Sequence, residues 1–106
     1  MALELKSQYD GDKKLWVMDV VGEIDIYTAN KLKETLAGML NEYNSDVKIN
    51  CEELDYIDST GLGVLIGALK RLKQENKNII IKSPRKNILK LLSITGLDKI
   101  FIVEGE

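Results

Sequence analysis

The chain predicts a single α/β domain in which strands and helices alternate. Short apolar runs recur at a period of two, as in Val47, Ile49 and Cys51. Between them lie longer stretches with apolar residues at steps of three and four, as in Leu62, Leu65, Ile66, Leu69 and Leu72. The first period belongs to a half-buried strand and the second to an amphipathic helix, so their alternation marks a sheet covered by helices. With 106 residues, 44% of them hydrophobic, there is material for one core and none for a second of useful size.

Residues 3–9 and 14–22 read as two strands joined at Asp10-Gly11-Asp12, where Asp and Gly supply turn conformations. After Gly22, the segment Glu23-Ile24-Asp25-Ile26-Tyr27 leads to Thr28. The Thr28 hydroxyl is expected to cap a helix that carries Leu32, Leu36, Met39, Leu40 and Tyr43 and ends near Asn44. Asp46 to Cys51 alternates as a third strand, and the acidic connection Glu52, Glu53 and Asp55, with Leu54 and Ile57, reads as a loop. From Thr60 a second helix is expected to run to Glu75 or Asn76, with Asp58 or Ser59 as its N-cap. Ile79 to Lys82 follows as a central strand. Ser83-Pro84 is expected to open a third helix, with Pro84 in its first turn, Ile88, Leu91 and Leu92 facing inward, and Gly96 as its stop. Ile100 to Val103 completes the order β-β-α-β-α-β-α-β. The expected product is a small mixed sheet of about five strands, parallel wherever a helix makes the crossover.

Composition removes whole classes of function. Histidine is absent, and with it the usual general base, transition-metal ligand and phosphorelay donor. No metal site or cofactor is expected. The single cysteine, Cys51, has no partner for an internal disulfide, and its place in the strand alternation points it into the core as packing. The apolar runs Ile79-Ile80-Ile81 and Ile100-Phe101-Ile102-Val103 fall far short of the roughly 20 residues that span a bilayer. The start, Met1-Ala2-Leu3-Glu4-Leu5-Lys6, lacks the pattern of a secretory signal, so a cytoplasmic location is expected. A net charge of −2 drives the chain neither onto nucleic acid nor into disorder.

The chemistry concentrates at Tyr56-Ile57-Asp58-Ser59-Thr60-Gly61-Leu62-Gly63. Two hydroxyls and two glycines stand here at a strand-to-helix junction, where free backbone N–H groups welcome negative charge. A phosphate on Ser59 would add about −1.5 to −2 charge beside Asp58 and near Glu53. From the residues alone, two readings stand together: Asp58, Ser59 and Thr60 cap the helix while Gly61 and Gly63 allow close packing, or Ser59 receives a phosphate.

The stretch Asp58-Ser59-Thr60-Gly61-Leu62-Gly63-Val64 resembles the signature of the STAS-domain anti-sigma factor antagonists. Gly22-Glu23-Ile24-Asp25-Ile26-Tyr27-Thr28-Ala29 and Thr95-Gly96-Leu97-Asp98-Lys99-Ile100 resemble further family motifs, so the similarity covers essentially the whole chain, residues 1–106. The resemblance implies a STAS-type fold and a protein that is not an enzyme. In that family the unphosphorylated form binds an anti-sigma factor that is also a serine kinase, which frees a sigma factor for transcription, and phosphorylation switches binding off. Carried over by residue, Ser59 is the phosphoacceptor, and Glu23, Asp25, Asp58, Thr60, Gly61 and Gly63 belong to the partner surface. The resemblance further implies that ATP sits on the kinase and that a separate serine phosphatase restores the active form. Family members usually continue into another helix, whereas this chain stops at Val103-Glu104-Gly105-Glu106.

Competing readings fare less well. Gly61-Leu62-Gly63 followed by Gly67 has one residue too many for a dinucleotide fingerprint, and no phosphate-loop lysine is correctly spaced. A Ser59 nucleophile lacks a histidine base. Residues 70–90 hold eight basic residues against Glu75 alone, yet contain no aromatic residue for base stacking. Lysines late in a helix are also what the helix dipole favours, so neither nucleic acid nor membrane is expected as a partner. STAS modules also regulate larger signalling assemblies and membrane transport systems, and fold alone does not separate these roles. The short, unfused chain favours the sigma-regulating kind.

Overall fold

The computed structural model describes residues 2–105, so Met1 and Glu106 of the terminal segments considered above lie outside the described residues. The chain forms β1 (Leu3–Asp10), β2 (Leu15–Ile24), α1 (Ala29–Glu42), β3 (Asp46–Asn50), β4 (Leu54–Ile57), α2 (Ser59–Lys73), β5 (Ile79–Lys82), α3 (Lys86–Thr95) and β6 (Ile102–Glu104). A 3-10 turn at Leu97–Lys99 precedes β6. The sheet runs β1-β2-β3-β5-β6, with β4 beside β2. Among the described residues only β1 and β2 pair antiparallel; the other pairings are parallel.

The mixed α/β architecture matches expectation, with one strand more than expected. The acidic connection after Cys51 contains β4, whose apolar residues stand three apart and so show no period of two. A bulge explains the spacing: Gly22 pairs with Leu54, Glu23 with Tyr56 and Ile24 with Ile57, which leaves Asp55 without a partner. Leu54 and Ile57 can then both face the core, and both are buried. Ten-residue β2 is the spine of the sheet, pairing with β3 along Leu15–Asp19 and with β4 along Gly22–Ile24.

Other boundaries shift for local reasons. Pro84 lies outside α3, which begins at Lys86 after an extended Arg85. Arg85 is held there because its Nε–H donates to Glu52 O at 2.9 Å and its guanidinium pairs with Asp55. Helix α2 stops at Lys73, where the Glu75 and Lys77 amides fold back onto Leu72 O and Asn76 adopts φ 58°. The last strand starts two residues late because the Ile100 and Phe101 amides close a turn onto Leu97 O. Gly96, at φ 75°, ends α3 as expected.

Each crossover from β2 to β3, β5 and β6 steps in the same direction along the sheet, so right-handed connections bring the helices to one face. Met18, Val20, Val47, Ile49, Ile79 and Ile81 are buried, while Val17, Asp19, Lys48, Asn50, Ile80 and Lys82 between them are less so. Leu32 and Leu36 of α1, Leu65 and Leu72 of α2, and Ile88 and Leu92 of α3 complete the core. Cys51 is buried, and burial pushes its thiol up to about 12, so it is inert packing. Trp16 is buried with its indole N–H donating to Tyr43 O at 2.9 Å, which ties the hairpin to the end of α1. Tyr9 stacks on Tyr43 with ring centroids 3.9 Å apart.

Gly22 is required by two independent constraints: its φ is +116°, and a Cβ there would overlap the Ala2 carbonyl oxygen. Gly22→Ala is expected to lower stability by about 1–3 kcal/mol, read as a shift of the urea midpoint. A midpoint equal to wild type would contradict this account of the bulge.

Candidate functional site

Strands β2 and β4 end side by side, with Ile24 opposite Ile57. The two loops that leave them therefore emerge together, at the carboxyl ends of parallel strands, where open α/β sheets place their sites. The Asp58 N–H donates to Ile24 O at 3.1 Å, which joins the Asp25 loop to the Ser59 junction through the backbone.

Each loop is organised by an aspartate. Asp58 is the N-cap of α2: its Oδ1 accepts from the Thr60 N–H at 3.0 Å, the Gly61 N–H at 3.1 Å and the Thr60 hydroxyl. The Thr60 hydroxyl, followed by the Gly61 N–H, holds the Asp58 carboxyl below the ordinary carboxylate range, assisted by the Thr60 and Ile26 N–H groups against a smaller opposing effect of desolvation. The Asp25 Oδ1 accepts from the Tyr27 N–H at 2.9 Å and the Thr28 N–H at 3.1 Å. Thr28 Oγ1 in turn accepts from the Asp25 N–H at 2.9 Å and donates to Glu23 O at 2.9 Å. This reciprocal bonding three residues apart is a capping box. Thr28 thus does not cap α1 with its own hydroxyl, as the sequence suggested; Asp25 heads the turn and Thr28 answers it. Asp25 is no freely solvated carboxylate but the organiser of its loop.

Of the two glycines expected to permit close packing, only Gly61 does so. A Cβ on Gly61 would stand 2.5 Å from Ile24 Cγ2 and 2.7 Å from Ile57 Cγ1, whereas one on Gly63 meets nothing within 4 Å. Gly61 brings α2 down onto the strand ends, and Gly63 lies exposed on the helix surface. There Thr60, Gly63, Val64 and Gly67 face Leu36, Ala37 and Leu40 of α1 across a groove of about 490 Å³.

The structure thus brings together Asp25, Asp58, Ser59, Thr60 and Gly61. Strand alternation sets Glu23 on the sheet face opposite Ile24, and its backbone carbonyl is what the Thr28 hydroxyl uses. Glu53 lines a separate hollow with Glu4, Lys6 and Asp19, away from Ser59. Ser59 itself is exposed, and among the described residues its hydroxyl has no hydrogen-bond partner. Beside it a hollow of about 450 Å³ runs between Tyr56 and Leu62 on one side and Asn87, Leu91 and Thr95 on the other. Sequence reasoning passed over Ile26 and Tyr27, which are 68% and 91% exposed. The signal was present: two large apolar residues sit inside an Asp-x-x-Thr turn, between the expected strand and the expected helix and within neither.

The contrast between the glycines is directly measurable. Gly61→Ala is expected to destabilise by about 1–3 kcal/mol through overpacking, and Gly63→Ala to stabilise by about 0.5–1 kcal/mol through helix propensity. Urea titration of both variants reads the opposite signs; equal signs would contradict the packing role. For Asp58, the folded-state pKa lies below the unfolded one, so its stabilisation is present above the unfolded value and is lost as pH falls through the folded value. Thermal midpoints of wild type are therefore expected to fall more steeply below about pH 4 than those of Asp58→Asn, whose amide oxygen caps without titrating. Parallel profiles would exclude this contribution.

Comparison with known proteins agrees with this architecture. The family profile described as "Mlab, STAS domain" matches residues 7–104. The anti-sigma-B factor antagonist of Staphylococcus epidermidis is 44% identical over 87 residues, 81% of this chain and 81% of that one. A Thermotoga maritima crystal structure assigned as an anti-sigma factor antagonist is similar with a TM-score of 0.87 at 22% identity, covering 96% of this chain and 86% of that one. The phosphorylated form of the Bacillus cell fate determinant SpoIIAA is similar with a TM-score of 0.72 at 20% identity, over 99% and 93% of the two chains. The two structures bear on the fold, the profile and the Staphylococcus protein on descent, and by these the chain belongs to the STAS-domain family of anti-sigma factor antagonists.

Proposed function

We propose that this chain is a cytosolic anti-sigma factor antagonist whose unphosphorylated form binds an anti-sigma factor carrying serine kinase activity, and that Ser59 is the residue phosphorylated to end that binding. The observation that carries the site is the contrast between neighbouring hydroxyls. Thr60 is committed to Asp58, while Ser59 is exposed and unengaged. In the transfer, Ser59 Oγ attacks the γ-phosphorus of ATP held by the kinase, the bond to the β-phosphate oxygen breaks, and the hydroxyl proton leaves to base or solvent. The chain is substrate and ligand; the catalyst is its partner, and a serine phosphatase reverses the modification.

The geometry supports release without unfolding. To accept the phosphoryl group, Ser59 must approach the kinase-bound nucleotide, so the product phosphate stands against the remaining nucleotide phosphates and beside the Asp58 carboxylate. Like charges at this range repel. The Asp58 cap uses the Thr60 and Gly61 amides, not Ser59, and survives the modification. Asp25, Asp58, Thr60, Gly61, Gly63 and the adjoining surface of α2 form the rest of the proposed interface, with Glu23 at its margin.

Incubation with the cognate kinase and ATP is expected to add one phosphate, located on Ser59 by mass spectrometry and absent from Ser59→Ala. Ser59→Asp is expected to bind the kinase at least about tenfold more weakly with an unchanged circular dichroism spectrum. Phosphate on Thr60 or elsewhere with Ser59 unmodified would overturn the assignment, and undiminished binding by Ser59→Asp would count against the electrostatic release.

A further inference from the structure

We infer that Tyr27, with Ile26 beside it, is the apolar anchor by which this protein docks on its anti-sigma kinase, inserting into a socket of the partner that is apolar within and lined with donors at its rim. The inference rests on the function proposed above and names the residues that supply its binding energy.

Two observations converge on the pair. Tyr27 is 91% exposed and Ile26 68% exposed, the former the most exposed large apolar residue of the described chain. They are nevertheless not on a loose tip. The Asp25 carboxylate accepts the Tyr27 N–H, Asp25 O accepts the Thr28 and Ala29 amides at 3.2 and 2.8 Å, and the Thr28 hydroxyl closes the turn. An exposed aromatic on a pre-ordered turn loses little freedom on burial, which is the property of an interface hot spot.

The occupant follows from position and charge. The Asp58 N–H donates to Ile24 O at 3.1 Å, so the turn that follows Ile24 adjoins the cap that precedes Ser59. A kinase that brings a γ-phosphate onto Ser59 therefore covers Ile26 and Tyr27 as well. The segments Asp25–Thr28 and Asp58–Gly61 together carry two carboxylates and no cation, and the complementary surface is one of N–H donors or basic side chains. Apolar anchors ringed by such polar contacts are the common anatomy of a tight interface.

The test uses the full-length chain and the purified anti-sigma kinase of the same cell with magnesium and ADP. Tyr27→Ala is expected to bind about thirtyfold more weakly or worse, and Ile26→Ser several-fold more weakly. Tyr27→Phe, which keeps the ring, should recover most of the lost affinity. With ATP, Tyr27→Ala is expected to raise the KM of the kinase for this substrate while kcat stays within about twofold. Unchanged melting temperatures show that the variants are folded, as the exposure of both residues requires. Wild-type affinity in Tyr27→Ala, or a fall in kcat at constant KM, overturns the anchor and leaves the proposed function standing. Absence of binding and phosphorylation in the wild-type chain overturns both.

Discussion

The depth to which the second helix sinks onto the ends of β2 and β4 governs the functional end of the molecule, and Gly61 sets that depth. With no Cβ, its backbone meets Ile24 and Ile57 directly. A side chain there would lift the first turn of α2 away from both strands. The Asp58 amide would then lose Ile24 O, and the two loops now joined by that bond would separate. The close approach is also why the bulge at Asp55 of β4 matters, because the register shift opposite Gly22 and Glu23 brings Ile57 level with Ile24. Core packing, sheet register and loop geometry meet in this one contact.

Around it, the same device is used twice. Asp25 and Asp58 each gather the free amides of the following turn, and each leaves the intervening side chains turned outward: Ile26 and Tyr27 in one case, Ser59 in the other. The result is a rigid frame with its variable chemistry on the outside. Such a frame suits the proposed recognition in two covalent states, because modification at the rim would change the field seen by a partner without disturbing the hydrogen bonds that hold the rim.

Much of this was legible from the residues. The helices announced themselves through Leu32, Leu36 and Leu40 and through Leu62, Leu65, Leu69 and Leu72, all of them buried. Asp58 was one of two caps foreseen for α2, and Cys51 was foreseen as packing. Strand β4 escaped because the bulge at its own Asp55 turns a period of two into a spacing of three, which the alternation expected of a strand does not show. Thr28 misled because threonine is a good N-cap in isolation, while here its hydroxyl accepts from the Asp25 N–H and donates to Glu23 O instead. Gly61 and Gly63 look alike in sequence; their difference lies in which face of the helix meets Ile24 and Ile57. The role of Ser59 is not decided by spacing, since a cap and a phosphoacceptor occupy the same kind of junction; Asp58 supplies the side-chain cap, and the phosphoacceptor role of Ser59 is a proposal.

The lone tryptophan gives this arrangement a built-in observer. Trp16 pairs with Val47 at the start of β3, at the far end of the parallel strands from Ser59, and is sealed between Tyr9, Tyr43 and the carbonyl at the end of α1. Its emission reports whether the hairpin, the first helix and the sheet remain assembled, and it is insulated by the length of the sheet from events at the rim. A change of partner affinity that leaves this fluorescence untouched belongs to the surface, and one that moves it belongs to the fold.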